Sequence, residues 1–354
     1  MKIIHTADLH LDSPLSTRLP EDKAQIRKRE LFDTFYRLAA EAERVGADAI
    51  IIAGDLFDRA EISKRRAERL FDIVRAHGEI SFFYLGGNHE NDGLLRSGAE
   101  LPENLFVFGK DWTVFDFPEL QIVGRTECLP RMFDSLPNNT DKPRIAVLHG
   151  TLGARSDKDG VIGLAEAALK KIDYLALGHY HSYSVTEADA TRAVYSGTPE
   201  GRGFDEAFEC GYVLLEVDGT ITHSFHPFAK RQIRIVECDL SGIDSYSELE
   251  SRLDSLLSVI PREDILRVRL VGALPPELFI DTASLTARYS PRCFYLEIKD
   301  ETKQKINAED YMYDKSFKGE FIRLVLKDTE SSEEEKANII KCGLSVLLGE
   351  ELSL

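Results

Sequence analysis

Paired cysteine is missing from this chain. Its five cysteines, Cys128, Cys210, Cys238, Cys293 and Cys342, are scattered, odd in number and include no Cys-x-x-Cys pair. That argues against a disulfide framework and against a thiolate zinc site. Long apolar runs are missing too, so no segment is expected to span a bilayer. The opening Met1-Lys2-Ile3-Ile4-His5 turns polar too soon for a signal peptide. A reducing cytoplasm and no membrane partner are therefore expected. There is no basic surplus: 44 Lys and Arg stand against 61 Asp and Glu, a formal net charge of −17. Duplex binders usually carry a basic footprint. A nuclease is still compatible with this balance, because two bound divalent cations make a site locally positive. Four short basic clusters occur: Arg27-Lys28-Arg29, Lys64-Arg65-Arg66, Lys170-Lys171 and Lys230-Arg231. They read as solvated faces. No internal repeat is present.

What the chain does have is room and alternation. Its 354 residues, 43% hydrophobic and 30% charged, suit one large domain and a smaller one. Strand patterns at 3–6, 49–53, 80–85, 145–148 and 174–177 alternate with helical periods at about 23–45 and 63–76. In the first helix Leu31, Phe35, Leu38 and Ala42 share a stripe. Strand-like pieces follow at 193–195, 211–217 and 221–225, the last two joined by the hairpin turn Asp218-Gly219. From about 232 the order becomes strand 233–238, helix 245–259, strand 266–271, helix 280–288, strand 293–298, which reads as a separate α/β domain. An acidic, serine-rich stretch at 329–335 precedes a final helix at about 332–349. Its stripe Ala337, Ile340, Leu344 and Leu347 either docks on the chain's own core or receives a partner.

Five motifs follow five predicted strands: Asp8-Leu9-His10, Gly54-Asp55-Leu56-Phe57-Asp58, Gly87-Asn88-His89-Glu90, His149-Gly150 and Gly178-His179-Tyr180-His181. In extended chain, residues i and i+2 point the same way, so Asp8 with His10, and His179 with His181, can present paired ligands. Open α/β sheets gather ligands at the carboxyl ends of their strands. Carboxylate, imidazole and one amide form a mixed donor set that suits Mn²⁺, Fe²⁺ or Zn²⁺. There are enough donors for two ions, the arrangement used in phosphoryl transfer. Taken singly, an Asp after a strand is commonly a helix cap and a histidine a satisfied core residue. Yet five of the nine histidines sit in motifs of one form. The other four, His5, His77, His223 and His226, are assigned structural roles.

The ordered set D-x-H, G-D-x-x-D, G-N-H-[DE], H-G, G-H-x-H resembles the calcineurin-like metallophosphoesterase superfamily. The opening His5-Thr6-Ala7-Asp8-Leu9-His10-Leu11-Asp12-Ser13-Pro14 and Gly54-Asp55-Leu56-Phe57-Asp58 resemble the SbcD/YhaO-type DNA repair exonucleases. The match leans to the YhaO branch, because Leu-Asp-Ser-Pro follows His10 where SbcD proteins typically have Leu-Gly. The resemblance implies a four-layer αββα sandwich over 1–228, a smaller α/β capping domain over 232–328 and a helical segment over 329–354. The doubly wound pattern alone does not imply two facing sheets. It further implies two divalent ions, Mn²⁺ foremost, with Asp8, His10, Asp55 and His181 holding one. Asp55, Asn88, His149 and His179 hold the other, Asp55 bridging. His89 is implied to protonate the leaving oxygen, oriented by Asp58. The partners implied are DNA, an SMC-like ATPase of the SbcC/YhaN type and a second copy in a homodimer.

The function expected is thus Mn²⁺-dependent hydrolysis of the DNA backbone by an exonuclease/endonuclease. The same metal chemistry serves cyclic nucleotides, nucleotides and phosphoproteins, so the motifs do not separate these substrates. A non-catalytic scaffold for DNA or the ATPase is a third reading, opposed by the intact ligand set and by His89.

Overall fold

The computed structural model describes residues 1–15, 19–87, 93–137, 140–275, 278–304 and 313–347. The chain divides into two compact units, Met1–Ile233 and Arg234–Leu354.

In the first unit the elements run β1 (Lys2–Thr6), α1 (Glu21–Val45), β2 (Ala49–Ala53), α2 (Lys64–Ala76), β3 (Ser81–Leu85), β4 (Leu105–Val107), β5 (Thr113–Asp116), β6 (Gln121–Gly124) and β7 (Arg144–His149). They continue β8 (Thr151–Gly153), β9 (Val161–Gly163), α3 (Leu164–Leu169), β10 (Tyr174–Gly178), β11 (Ser184–Ala188), β12 (Thr191–Tyr195), β13 (Gly211–Asp218) and β14 (Thr220–Pro227). Helix α1 starts with Glu21 and Asp22, which favour the positive helix end, and stops at Gly46 with φ 67.

Two six-stranded sheets result, ordered β14-β13-β1-β2-β3-β4 and β11-β12-β10-β7-β6-β5. Strands β1, β2, β3 and β4 are mutually parallel. So are β6, β7, β10 and β12. Side chains alternate across each strand. Ile3, Ile51, Phe83, Ile145, Val147 and Ala176 therefore meet in one core between the sheets. Their neighbours Ile4, Ile50, Ile52 and Phe82 pack against Phe35, Leu38 and Ala42 of α1 and Leu70 and Val74 of α2. On the far side Val123, Ala146, Leu148 and Leu175 pack with Ala167 of α3 and with Met132 and Phe133. The layers are α, β, β, α. The central strands β2, β7 and β10 are buried on both faces, which is why they read as continuous apolar runs.

The second unit holds β15 (Ile233–Asp239, which begins at the last residue of the first unit), α4 (Tyr246–Ser258), β16 (Ile265–Val271), β17 (Ala273–Leu274), α5 (Thr282–Tyr289), β18 (Tyr295–Asp300), β19 (Lys303–Gln304), α6 (Phe317–Lys327) and α7 (Glu333–Leu347). Its three-stranded sheet β15-β16-β18 covers a core of Leu249, Leu253, Leu266, Val268, Leu285 and Leu296. Ile340 and Leu344 of α7 pack with Ile322 of α6. These two stripe positions therefore dock on the chain itself. Helix α6 lies where sequence patterning predicts no element.

Candidate metal centre

Four of the five motifs lie at the carboxyl ends of β1, β2, β7 and β10. Within the fourth and fifth, His149 and Gly178 are register partners. The first two loops are stitched together: the Asp8 amide donates to Gly54 O at 3.0 Å and the His10 amide to Asp55 O at 3.0 Å. This crossing needs glycine. A Cβ on Gly54 would lie 2.1 Å from His149 Nδ1, and its φ is +95. A Cβ on Gly87 would lie 2.0 Å from Asp55 Oδ1. Asp8 (φ 53), His10 (φ 45), Asp55 (φ 49) and His179 (φ 108) all hold left-handed backbone. Such strain in non-glycine residues persists where the surroundings over-determine it, and it clusters at functional sites.

Among the described residues two candidate donor groups emerge, each with its donor atoms within 4.8 Å of one another: Asp8, His10 and His181, and Asp8, Asp55 and His149. Asp8 belongs to both. Asp55 Oδ2 lies 4.0 Å from His10 Nε2 and 3.3 Å from His149 Nε2, between one histidine of each group. His179 is in neither group. Its amide donates to both Asp8 oxygens at 3.1 Å, and its ring centroid is 5.5 Å from that of His149. Asn88 and His89 lie outside the described residues.

Three imidazoles are fixed from behind. His10 Nδ1 donates to Asp58 Oδ1 at 2.5 Å, His149 Nδ1 to Ala53 O at 2.9 Å, and His181 Nδ1 to Glu206 Oε1 at 2.7 Å. In the neutral ring, with the proton on Nδ1, Nε2 keeps the lone pair a cation needs. Asp58, expected to orient His89, is thus engaged with His10 among the described residues. Arg202 ties the two carboxylates together, 2.6 Å from Glu206 and 3.6 Å from Asp58. Glu206 and Arg202 lie in a loop after β12, far from every motif, and nothing in their spacing signals the role.

The electrostatics favour added positive charge. Burial pushes the Asp8 carboxyl up, against the nearby histidines. Burial alone would lower His149, but the Asp55 hydrogen bond and the Asp8 and Asp55 charges carry it to about 9. Burial alone would raise Glu206, but bonds from His181 and Arg202 take it down to about 2. Buried carboxylates that hold an imidazolium are also answered by a divalent cation. The mixed O/N donor set fits Mn²⁺, Fe²⁺ or Zn²⁺ in chemistry and in spacing.

The remaining histidines sit elsewhere. His5 is buried against Tyr174 Oη at 3.0 Å, and His77 Nδ1 caps Ile73 O at 2.8 Å. His226 stacks on Tyr212, and His223 lies beside Tyr174. Most residues of the basic clusters are exposed, as expected of solvated faces, and Arg27 is the buried exception. Arg27 is 1% exposed and pairs with Glu30 and Glu200, because α1 turns it inward beneath the loop at 200–201. Arg231 pairs with the same Glu30 at 2.7 Å.

The sequence profile of the calcineurin-like phosphoesterases matches residues 1–183. The chain is 32% identical over 245 residues to the uncharacterized metallophosphoesterase YhaO of Bacillus subtilis, covering 64% of this chain and 60% of that one. It is 27% identical over 289 residues to the SbcD subunit of the SbcCD nuclease of Staphylococcus epidermidis, covering 69% and 74%. The chain thus spans less than two thirds of the first of these relatives. Among solved structures, TT1561 of Thermus thermophilus aligns at 15% identity and a TM-score of 0.43, over 63% of this chain and 98% of that one.

Proposed function

Since the chain belongs to the calcineurin-like phosphoesterase family, we propose that it is a two-metal phosphodiesterase whose substrate is the DNA backbone. The observation that carries the metal reading is the pair of donor groups sharing Asp8. Support for DNA comes from the relative that bears the name of a nuclease subunit. The net charge of −17 favours a smaller phosphoester as the second reading.

In this proposal Asp8, His10, Asp55 and His181 hold one ion, and Asp55, Asn88, His149 and His179 the other. The chemistry supplied by two such ions is polarisation of the phosphoryl group and activation of water. The chain's own groups do the rest. Asp58, Glu206 and Ala53 O hold the imidazoles in the tautomer that binds through Nε2. His89 hands a proton to the leaving oxygen. Residues 232–328 are assigned as the capping domain. An SMC-like ATPase is assigned to the carboxy-terminal segment 329–354, where Ile339 and Val346 of α7 are exposed apolar side chains. A homodimer and a reducing cytoplasm complete the assignment.

The test is Mn²⁺-dependent digestion of end-labelled linear DNA beside a mononucleotide and a phosphopeptide. Shortened DNA, with His89→Ala inactive, supports the proposal. Cleavage of a small substrate alone keeps the metal centre and removes DNA.

A further inference from the structure

Beside the candidate centre lies a cavity of about 560 Å³ whose wall includes Leu11, Asp12, Ser13 and Pro14, the residues that directly follow His10. Six cations also line it: Lys28, Arg29, Arg59, Arg65, Arg66 and Arg69. Asp12 is the one carboxylate in that lining among the described residues, where the cations outnumber it, on a chain of net charge −17. Three of the cations are structurally engaged. Arg66 reaches Asp12 at 3.3 Å, Arg59 reaches it at 3.8 Å, and Arg69 stacks on Phe32 at 4.0 Å and pairs with Asp33 at 3.5 Å. Lys28, Arg29 and Arg65 have no ion-pair partner among the described residues.

A second observation agrees. Helix α2 begins in this wall at Ser63, with no side-chain cap and no acid in its first turn, where Lys64, Arg65 and Arg66 stand instead. Cations at a helix N-terminus oppose the macrodipole. Both sources of positive potential are relieved by one anion. The wall is also coupled to the centre: the Asp58 amide donates to Asp12 Oδ1 at 2.6 Å, and Asp58 holds His10.

We propose that this cavity holds phosphate groups of the nucleic-acid strand that flank the one at the metal centre. This rests on the proposed DNA reading and deepens it: binding of long phosphodiesters becomes local to α1 and α2 despite the acidic surface. Arginine suits the task, because its planar fork meets phosphate oxygens bidentately.

The test is binding of a fluorescein-labelled single-stranded oligonucleotide by anisotropy in EDTA, over a range of salt. For the Arg29→Ala/Arg65→Ala protein we expect affinity about tenfold weaker. The slope of log K against log salt should be shallower by about 1.4, roughly 0.7 for each arginine–phosphate pair removed. Arg29→Lys/Arg65→Lys should recover most of the salt slope. An unchanged Kd and slope in the alanine protein overturns the proposal. So does polyglutamate competing as well as the oligonucleotide at equal charge. Wild-type protein that binds the strand without cutting it removes the proposed activity and leaves the cavity's assignment standing. Protein that cuts DNA while the alanine variant binds as tightly does the reverse.

Discussion

Glu206 shows how much a single side chain outside the motifs can govern. It is 2% exposed and holds both His181 and Arg202. Outer-sphere carboxylates of this kind are typically worth about 10–100-fold in metal affinity. Glu206→Gln is therefore expected to weaken Mn²⁺ binding by that factor in a calorimetric titration, and an unchanged affinity would refute the role. His89→Ala should differ: Mn²⁺ is retained and most turnover of bis-p-nitrophenyl phosphate is lost. Loss of metal in that variant, by elemental analysis, would contradict the proton-donor assignment. Glu30 acts on stability instead. Burial alone would raise its pKa, but Arg231, Arg27 and Lys230 bring it to about 2 from an ordinary 4.5. A depressed carboxyl stabilises the fold above its unfolded pKa and loses that contribution as pH falls through its folded value. Stability should thus decline between about pH 4.5 and pH 2. Glu30→Gln should flatten that limb and cost roughly 3–5 kcal/mol at neutral pH, read from urea melts.

At the scale of elements, the parallel strands and their glycine exits do the positioning. Gly87 lets the end of β3 pass over Asp55, where an added methyl would lie 2.3 Å from the Asp55 amide. Gly87→Ala is expected to displace Asp55, lower stability by about 1–3 kcal/mol and abolish tight metal binding. A variant that binds Mn²⁺ like the wild type would show that the loop yields. The strands β1, β2, β7 and β10 were legible as apolar runs, and α1 and α2 by period. Strands β4 to β6 were not, since three or four residues are too short for a pattern to emerge. Helix α6 escaped because Phe317 and Leu324 are exposed, so its apolar residues spread beyond one stripe.

Across the whole molecule, two units with separate cores predict non-two-state melting. Calorimetry should resolve two transitions, and Mn²⁺ should raise only the one belonging to Met1–Ile233, because a ligand stabilises the unit that binds it. A single transition raised as a whole would count against independent units. Much of this protein was already determined by sequence: the types of the candidate donors, their order and, for Asp8, Asp55, His149 and His179, their attachment to strand ends follow from short local patterns. The tertiary structure alone decided that two sheets face each other, that Asp8 is shared by both donor groups and that Asp55 reaches a histidine of each. It also decided that Glu206 and Arg202 stand behind His181, that Arg27 is buried, and that Lys28, Arg29 and Arg65 line one cavity. The physical reason is range. Periodicity and turn chemistry act over a few residues, whereas these pairings join side chains separated by long stretches of chain, and only packing of the layers brings them together.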